Sequence, residues 1–592
     1  MIWSLKTLSA PDAGEESWVV ADNLYAFTTS QDEASRYVTA RPLRIDVGSQ
    51  AATLQMKAWV EECKDHEECS KSHTQTEATL PTRVIEVRPA DQDEPRILET
   101  CGLRGSYATI SYCWGKTLFW TLNTSNYAQS IKSLDISMLP LVFQDAITIA
   151  RKLSIPYLWI DALCIIQDSE DDKEQEIALM KNIYASSVLT IVAASSKEVS
   201  EGILLDRPSS NINTFTIPFR IKDGLFGSFS FGSLAAVVYD ERSEPLARRA
   251  WTLQEQLLAQ RTVTFASHTM IWNCKAGVKT FGEFFHSPYQ NSIDKSESLN
   301  LNSLLIDEEE ARAYKFEALS CWCRLVTAYS LRCASFENDK LNAVAGIASH
   351  PSFASALGTY HAGLWEYKFA LQLTWYVSKE HVSVPNAERL SSHRPKSYRA
   401  PSWSWASIEG GVVRSDDQFG PHNLMQSRCE ILECSTAPKL DRNPFGEVVS
   451  ASLRIRGFSR SAWFYPETSN LVLLPVSDFE IGVISHQEAY KQYIQDFIKE
   501  TPEVDIDERP EALHGTWNNN TVGNSDETRF TEPMIVLCLA VAWEWLSPDK
   551  TVSGLLLVEE GNGLYTRVGQ FMRGKRKDFK NEEILKREIT LI

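Results

Sequence analysis

Three groups of residues have types and spacings suited to chemistry. The first is Cys63-x-x-His66-x-x-Cys69, with His73 close behind. Thiolates and imidazole are zinc ligands, and four of them complete a tetrahedral site. Structural zinc sites usually draw on two separated ligand pairs, however, and this is one tight run. Residues three and six apart on a helix also share a face. The sequence therefore reads Cys63, His66 and Cys69 first as packed side chains, with a metal as the second reading.

The second group is carboxylate. Apolar spacing predicts a helix from Asp172 to Ser187. Stepping about 100° per residue, Glu176 falls inside the stripe made by Met180, Ile183 and Tyr184, whereas Glu174 points away. An acid on a buried face is costly unless it is paired or put to use. Glu176 is therefore the candidate catalytic group, with an ordinary buried ion pair as the alternative. Asp161 supports it: this acid lies within an apolar run and needs a partner, for which Arg249 is the candidate.

The third group sits where predicted strands end. Ser111 and Trp114 close one strand, Gln167 and Asp168 a second, Ser195 and Ser196 a third. Ligands of open α/β sheets bind beyond the carboxyl ends of the strands. A helix predicted from Ala250 to Ala259 follows Arg249 and adds Trp251 and Glu255, one turn apart on one face. Ser111, Trp114, Gln167, Asp168, Arg249, Trp251 and Glu255 form the candidate ligand-binding set. Turn capping and helix packing are the competing explanations for each. Trp114-Gly115-Lys116-Thr117 imitates half a phosphate loop, but Ile110 stands where that loop needs a glycine.

The elements that must position these groups follow an α/β pattern. Tyr107 to Gly115 reads as a buried strand and Leu139 to Leu153 as a helix, with Pro140 in its first turn and Arg151 and Lys152 in its last. Tyr157 to Ile166 is a near-continuous apolar run, as a parallel strand covered on both faces requires. Val188 to Ala194 is another buried strand. Alternation of strand and helix predicts parallel crossovers. The expected fold class is α/β: a parallel-sheet core, then a helical segment and a mostly β C-terminal region. The expected divisions are 1–104, a leader region with the Cys/His cluster, a helix over 55–69 and an edge strand within Thr82–Arg88; 105–280, the α/β domain, ending in a hairpin of Thr262–Phe265 and Thr269–Trp272; 281–410, mainly helical, with Glu308–Ser330 its strongest helix; and 411–592, mostly β, with a polar loop over 506–528.

Composition narrows the function. The 592-residue chain carries a formal net charge of −18, which argues against nucleic acid as a partner, since binding it needs a basic surface. The N-terminus lacks the apolar core of a secretory leader. The longest apolar run, Ile535 to Leu546, contains Glu544 and falls short of the roughly 20 residues of a membrane span. A cytoplasmic protein with reduced cysteines is expected.

The same residues carry a family resemblance. Tyr107-Ala-Thr-Ile-Ser-Tyr-Cys-Trp-Gly115, Tyr157-Leu-Trp-Ile-Asp-Ala-Leu-Cys-Ile-Ile-Gln-Asp168 and Ala250-Trp-Thr-Leu-Gln-Glu255 resemble, in order and spacing, the three signature blocks of the fungal heterokaryon-incompatibility (HET) domain. Trp59…Cys63-x-x-His66-x-x-Cys69 and Leu80-Pro-Thr-Arg83 upstream fit that family's wider architecture. So do Tyr329-Ser-Leu-Arg332, Asp339-Lys-Leu341 and Pro401-Ser-Trp-Ser-Trp-Ala406 downstream. The resemblance implies a cytoplasmic fungal protein of non-self recognition, acting with protein partners, whose domain triggers programmed cell death. It further implies a remote likeness to TIR domains, which have a flavodoxin-like parallel sheet and some of which hydrolyse NAD. In that comparison Glu176 takes the place of the catalytic glutamate. Lys173 stands where the pattern has Trp, and Ala250 where it has Gly. Lys173 shares the face of Glu176 and is expected to pair with it. Two readings follow: a TIR-like NAD glycohydrolase, with NAD as substrate and no resident cofactor, and a non-enzymatic adaptor that self-associates or recruits partners.

Overall fold

The computed structural model describes residues 2–4, 23–70, 78–88, 94–208, 214–221, 224–233, 240–282, 308–377, 393–410, 412–413, 425–465, 470–473, 514–517, 534–544, 551–575 and 586–592. The chain divides into two compact units, Met1–Asn302 and Ser303–Ile592.

The first unit is built on an eight-stranded mixed sheet. Its strands are β1 (Arg83–Glu86), β2 (Arg96–Glu99), β3 (Tyr107–Ser111), β4 (Tyr157–Trp159), β5 (Leu189–Val192), β6 (Arg261–Phe265), β7 (Met270–Cys274) and β8 (Gly277–Thr280). They lie in the order β8-β7-β6-β5-β3-β4-β1-β2. The inner four, β6, β5, β3 and β4, run parallel. Counted in chain order, those four stand 2-1-3-4 across the sheet. Every residue of β3, β5 and β6 is buried, which is why β3 and β5 read as unbroken apolar or hydroxyl runs; β6 buries Arg261 as well. The pairs β1–β2 and β7–β8 flank the parallel centre as antiparallel ribbons.

Helices supply the crossovers. Helix α1 (Gln50–Glu62) precedes the sheet; α2 (Leu141–Lys152) joins β3 to β4, α3 (Asp161–Cys164) and α4 (Glu170–Ser186) join β4 to β5, and α5 (Ala250–Leu258) leads into β6. Pro140 opens α2, which buries Val142, Phe143, Ala146, Ile147, Ile149 and Ala150 on the sheet. The Ser169 hydroxyl accepts from the Asp172 amide to start α4, with Glu170, Asp171 and Asp172 in its positive first turn.

Three expectations change. The run from Tyr157 to Ile166 is not one strand: β4 stops at Trp159, and Asp161 opens the one-turn helix α3. So short an apolar run does not distinguish strand from buried helix turn. The Thr82–Arg88 segment is no edge, because β1 pairs with both β2 and β4. The leader helix ends at Glu62; Cys63–Asp65 is a tight 3-10 turn, His66 is extended, and Glu67–Ser70 restarts. Cys63, His66 and Cys69 thus lie on a bend rather than along one helix face. The expected hairpin forms as β6 and β7.

In the second unit the Glu308–Ser330 helix is broken at Tyr314 into Glu308–Ala313 and Lys315–Ser330. The C-terminal strands close a barrel. Strands β9 (Val448–Tyr465), β10 (Met534–Glu544), β11 (Thr551–Gly561), β12 (Leu564–Lys575) and β13 (Lys586–Leu591) pair in sequence, and β13 returns to β9. Closure leaves these five without an open edge. Most of the 506–528 loop lies outside the described residues, while His514–Trp517 within it pairs with β12. No helix among the described residues is long and apolar enough to cross a membrane.

The Pro401–Ala406 motif ties the helices of this unit to its barrel. Ser402 Oγ accepts from the Arg567 amide at 3.0 Å, and the Ser402 amide donates to the Ile592 carbonyl at 2.9 Å. The indole N–H groups of Trp322 and Trp405 both donate to the Gly363 carbonyl, at 3.1 and 2.8 Å. Gly363 has φ +98°, and a Cβ there would meet Trp405 Nε1 at 2.5 Å. We expect Gly363→Ala to cost about 1–3 kcal/mol for backbone strain, with a steric penalty on top. Gly563→Ala, at φ +73° with nothing within 4 Å of its Cβ, carries the strain alone. Chemical denaturation should rank Gly363→Ala as clearly the more damaging; equal losses would show that the indole contact is not limiting.

Candidate functional site

The polar groups at the carboxyl ends of the parallel strands form one cluster. Strand β3 ends at Ser111, and Tyr112, Cys113 and Trp114 follow it over the rim of the sheet. Asp161 enters from the end of β4, because α3 turns the chain there. The Tyr112 hydroxyl donates to Asp161 Oδ1, and Trp114 Nε1 donates to Asp161 Oδ2 at 3.0 Å. Arg249, at the start of α5, donates to the Tyr112 carbonyl. The segment before it crosses the end of β5, where the Leu246 amide donates to the Ala194 carbonyl at 3.3 Å.

Electrostatics locates the remaining members. Tyr112 and Tyr184 are fully buried, and burial pushes both hydroxyls well above the ordinary tyrosine range. Asp161 raises both further, Glu255 raises Tyr184, and Arg249 opposes them at both rings. Burial also pushes the Cys113 thiol up to about 11, with Arg249 lowering it and Glu255 raising it. Arg249, Asp161 and Glu255 therefore act on the same few atoms. Both tyrosines are protonated at neutral pH and serve as donors: Tyr112 to Asp161, Tyr184 to the Ile110 carbonyl at 3.0 Å.

Ser111 is fully buried, and its hydroxyl has no hydrogen-bond partner. It stands opposite Val192 in the β3–β5 pairing, between the first and third parallel strands in chain order. Trp114 and Trp251 are half-buried and pack on the apolar core.

Other expected members lie apart. Gln167 donates to the Asp161 and Ile165 carbonyls at 3.1 Å, closing the α3 turn. Asp168 is exposed and caps a loop, accepting from the Thr124 amide and hydroxyl at 2.8 and 2.6 Å; the hydroxyl holds its carboxyl below the ordinary range. Ser195 donates its amide to the Phe265 carbonyl, and Ser196 Oγ donates to the Glu201 carbonyl.

Glu176 is 0% exposed. Its nearest cation is Arg83 on β1, at 3.8 Å. Arg83 gives its short hydrogen bonds elsewhere, to both oxygens of Asp172 at 2.7 and 2.6 Å and to the Cys164 carbonyl at 2.7 Å. Neither Glu176 oxygen meets hydrogen-bond geometry. Burial raises its pKa, and Thr82 and Arg83 only partly offset that. The expected Lys173–Glu176 pair does not form: Lys173 reaches back one turn to Glu170 at 3.0 Å. Burial pushes the Cys164 thiol up, and both Glu176 and Asp161 raise it further.

Sequence reasoning missed Tyr112, Tyr184 and Arg83. The two tyrosines sit inside apolar blocks and read as core; Arg83 was visible as a charged residue within a strand assigned to the edge.

Comparison with curated proteins and with solved structures gave no match. One family model does match, described as heterokaryon incompatibility protein (HET), over residues 107–255. The matched segment opens at the first residue of β3 and closes at Glu255, the span that builds the strand-end cluster. Residues 107–255 of this chain are a HET domain.

Proposed function

We propose that the chain acts in heterokaryon-incompatibility-type non-self recognition in a fungus, as a regulator or effector of programmed cell death, and that its HET domain acts through the strand-end cluster. The observation that carries this is convergence. Each of the three family-like blocks sends a polar group to one place: Tyr112 and Trp114 from the first, Asp161 from the second, Glu255 from the third, with Arg249 adjoining it. Packing alone needs no charge there, and partly buried ions cost free energy unless they are paired or used.

The ligand we propose is a nucleotide of the NAD type. A 2-1-3-4 order of parallel strands supports a flavodoxin-like and so TIR-like core, in which ligands sit at the switch point between the first and third strands. Ser111 offers an unpaired hydroxyl there. Arg249 offers a guanidinium to a phosphate, and the Trp114 and Trp251 rings offer faces to a base. In the enzyme reading Glu176 stabilises positive charge developing as the glycosidic bond breaks. Its complete burial favours the second reading, in which the domain is an adaptor that binds partners and Glu176 is structural.

Ligand binding separates the two. NAD at millimolar concentration should raise the melting temperature of the purified chain, and Arg249→Ala should abolish the rise; a wild-type protein indifferent to NAD removes the nucleotide reading. Nicotinamide release that disappears in Glu176→Gln supports the glycohydrolase, and release that persists there excludes Glu176 as its catalytic group.

Stability reports on Glu176 without any ligand. The folded protein holds that proton more tightly than the unfolded chain, so the acid lowers stability as the pH rises through and above the ordinary carboxyl range. Glu176→Gln does not titrate. Its stability relative to wild type should increase from pH 4 to pH 7, measured by denaturant unfolding. A difference that stays flat or reverses would show an ionised, fully paired carboxylate.

A further inference from the structure

The bend after α1 brings Cys63, His66 and Cys69 to Cys274, the last residue of β7. Their ligand atoms all lie within 4.8 Å of one another. His66 Nδ1 is 3.8 Å from Cys69 Sγ and 3.6 Å from Cys274 Sγ. We propose that these four residues are a Cys3His site for one zinc ion, which clamps the segment after α1 to the sheet.

The separations fit a shared metal. Zinc holds sulfur at about 2.3 Å and imidazole nitrogen at about 2.0 Å. Tetrahedral geometry then sets ligand atoms roughly 3.5–3.8 Å apart, and the separations from His66 to Cys274 and Cys69, 3.6 and 3.8 Å, fall in that range. The ligand count closes a structural site, since four protein donors leave no open position. The fourth ligand, Cys274, comes from about 200 residues along the chain; His73 lies outside the described residues.

The surroundings match in sign as well as shape. Three thiolates and one Zn²⁺ carry a net charge of −1. Arg261, only 7% exposed, donates from Nε to Cys63 Sγ at 3.1 Å. A buried guanidinium set on a sulfur is stabilised by an anionic site and costly beside a neutral thiol. The Ala276 amide also donates to Cys274. Such N–H groups around ligating sulfurs orient them and spread their charge.

The scaffold is laid out for the clamp. Trp59 lies in the last turn of α1 and Cys63 directly follows that helix, while Trp272 and Cys274 lie on one face of β7. The two indoles meet at 6.1 Å between ring centroids. Helix and strand are thus already in register where the four ligands converge. The metal would bind this corner of the first unit tightly, because holding the folded arrangement adds the binding free energy to folding.

The test is metal content. The full chain, purified under reducing conditions without chelator or histidine tag, should carry about one zinc per molecule by inductively coupled plasma mass spectrometry. Cys274→Ser and His66→Ala should each fall below about one tenth of that. Cys164→Ser, a buried cysteine outside the cluster, should keep it. Cobalt exchange of the wild type gives a check independent of any variant: thiolate-to-cobalt charge transfer with intense tetrahedral d–d bands. Wild-type protein that holds no zinc after reconstitution or that holds iron with labile sulfide instead, or a Cys274→Ser variant that keeps full zinc, overturns the proposal.

Discussion

The HET domain turns on one carboxylate. Asp161 is held between the Tyr112 hydroxyl and the Trp114 indole, both following the first parallel strand, while it opens the turn after the second. That grip fixes the ends of two neighbouring strands against each other. It also sets where Arg249 lands, because Arg249 donates to the carbonyl of the same Tyr112. Two hydrogen bonds onto one partly buried carboxyl group leave little freedom in where it sits. Without it the ends of β3 and β4 would lose their shared anchor.

The cluster and the cysteine–histidine corner belong to the same unit but rest on different physics. The cluster lies over the carboxyl ends of β3, β4 and β5, where chain reversals leave backbone and side-chain polar groups to be satisfied. The corner joins α1 to β7 through two tryptophans in contact and four convergent cysteine and histidine side chains. One arrangement orders the rim of the sheet, the other secures a segment that enters from far away in sequence.

Much of the frame was legible in the letters, and the reason is burial. Strands covered on both faces must be apolar throughout, so β3 and β5 stood out, as did the amphipathic α2 and α4. The end of β4 did not, since Ile160 to Ile166 stays apolar as strand becomes helix turn. Helical spacing put Glu176 on the buried face but could not name its neighbour: Lys173 extends toward Glu170, and the cation that meets Glu176 is Arg83, from a strand far upstream. Cys274 carried no local signal at all. Long-range partners are set by topology, and spacing along the chain does not encode them.

A double-mutant cycle between Tyr112 and Asp161 tests the account most directly. Denaturant unfolding of the wild type, Tyr112→Phe, Asp161→Asn and the double variant gives their coupling free energy. The account predicts a coupling of about 1–3 kcal/mol, with each single variant close to the double in stability. Additive losses would contradict it, leaving Asp161 an ordinary helix-start residue and the cluster an accident of packing.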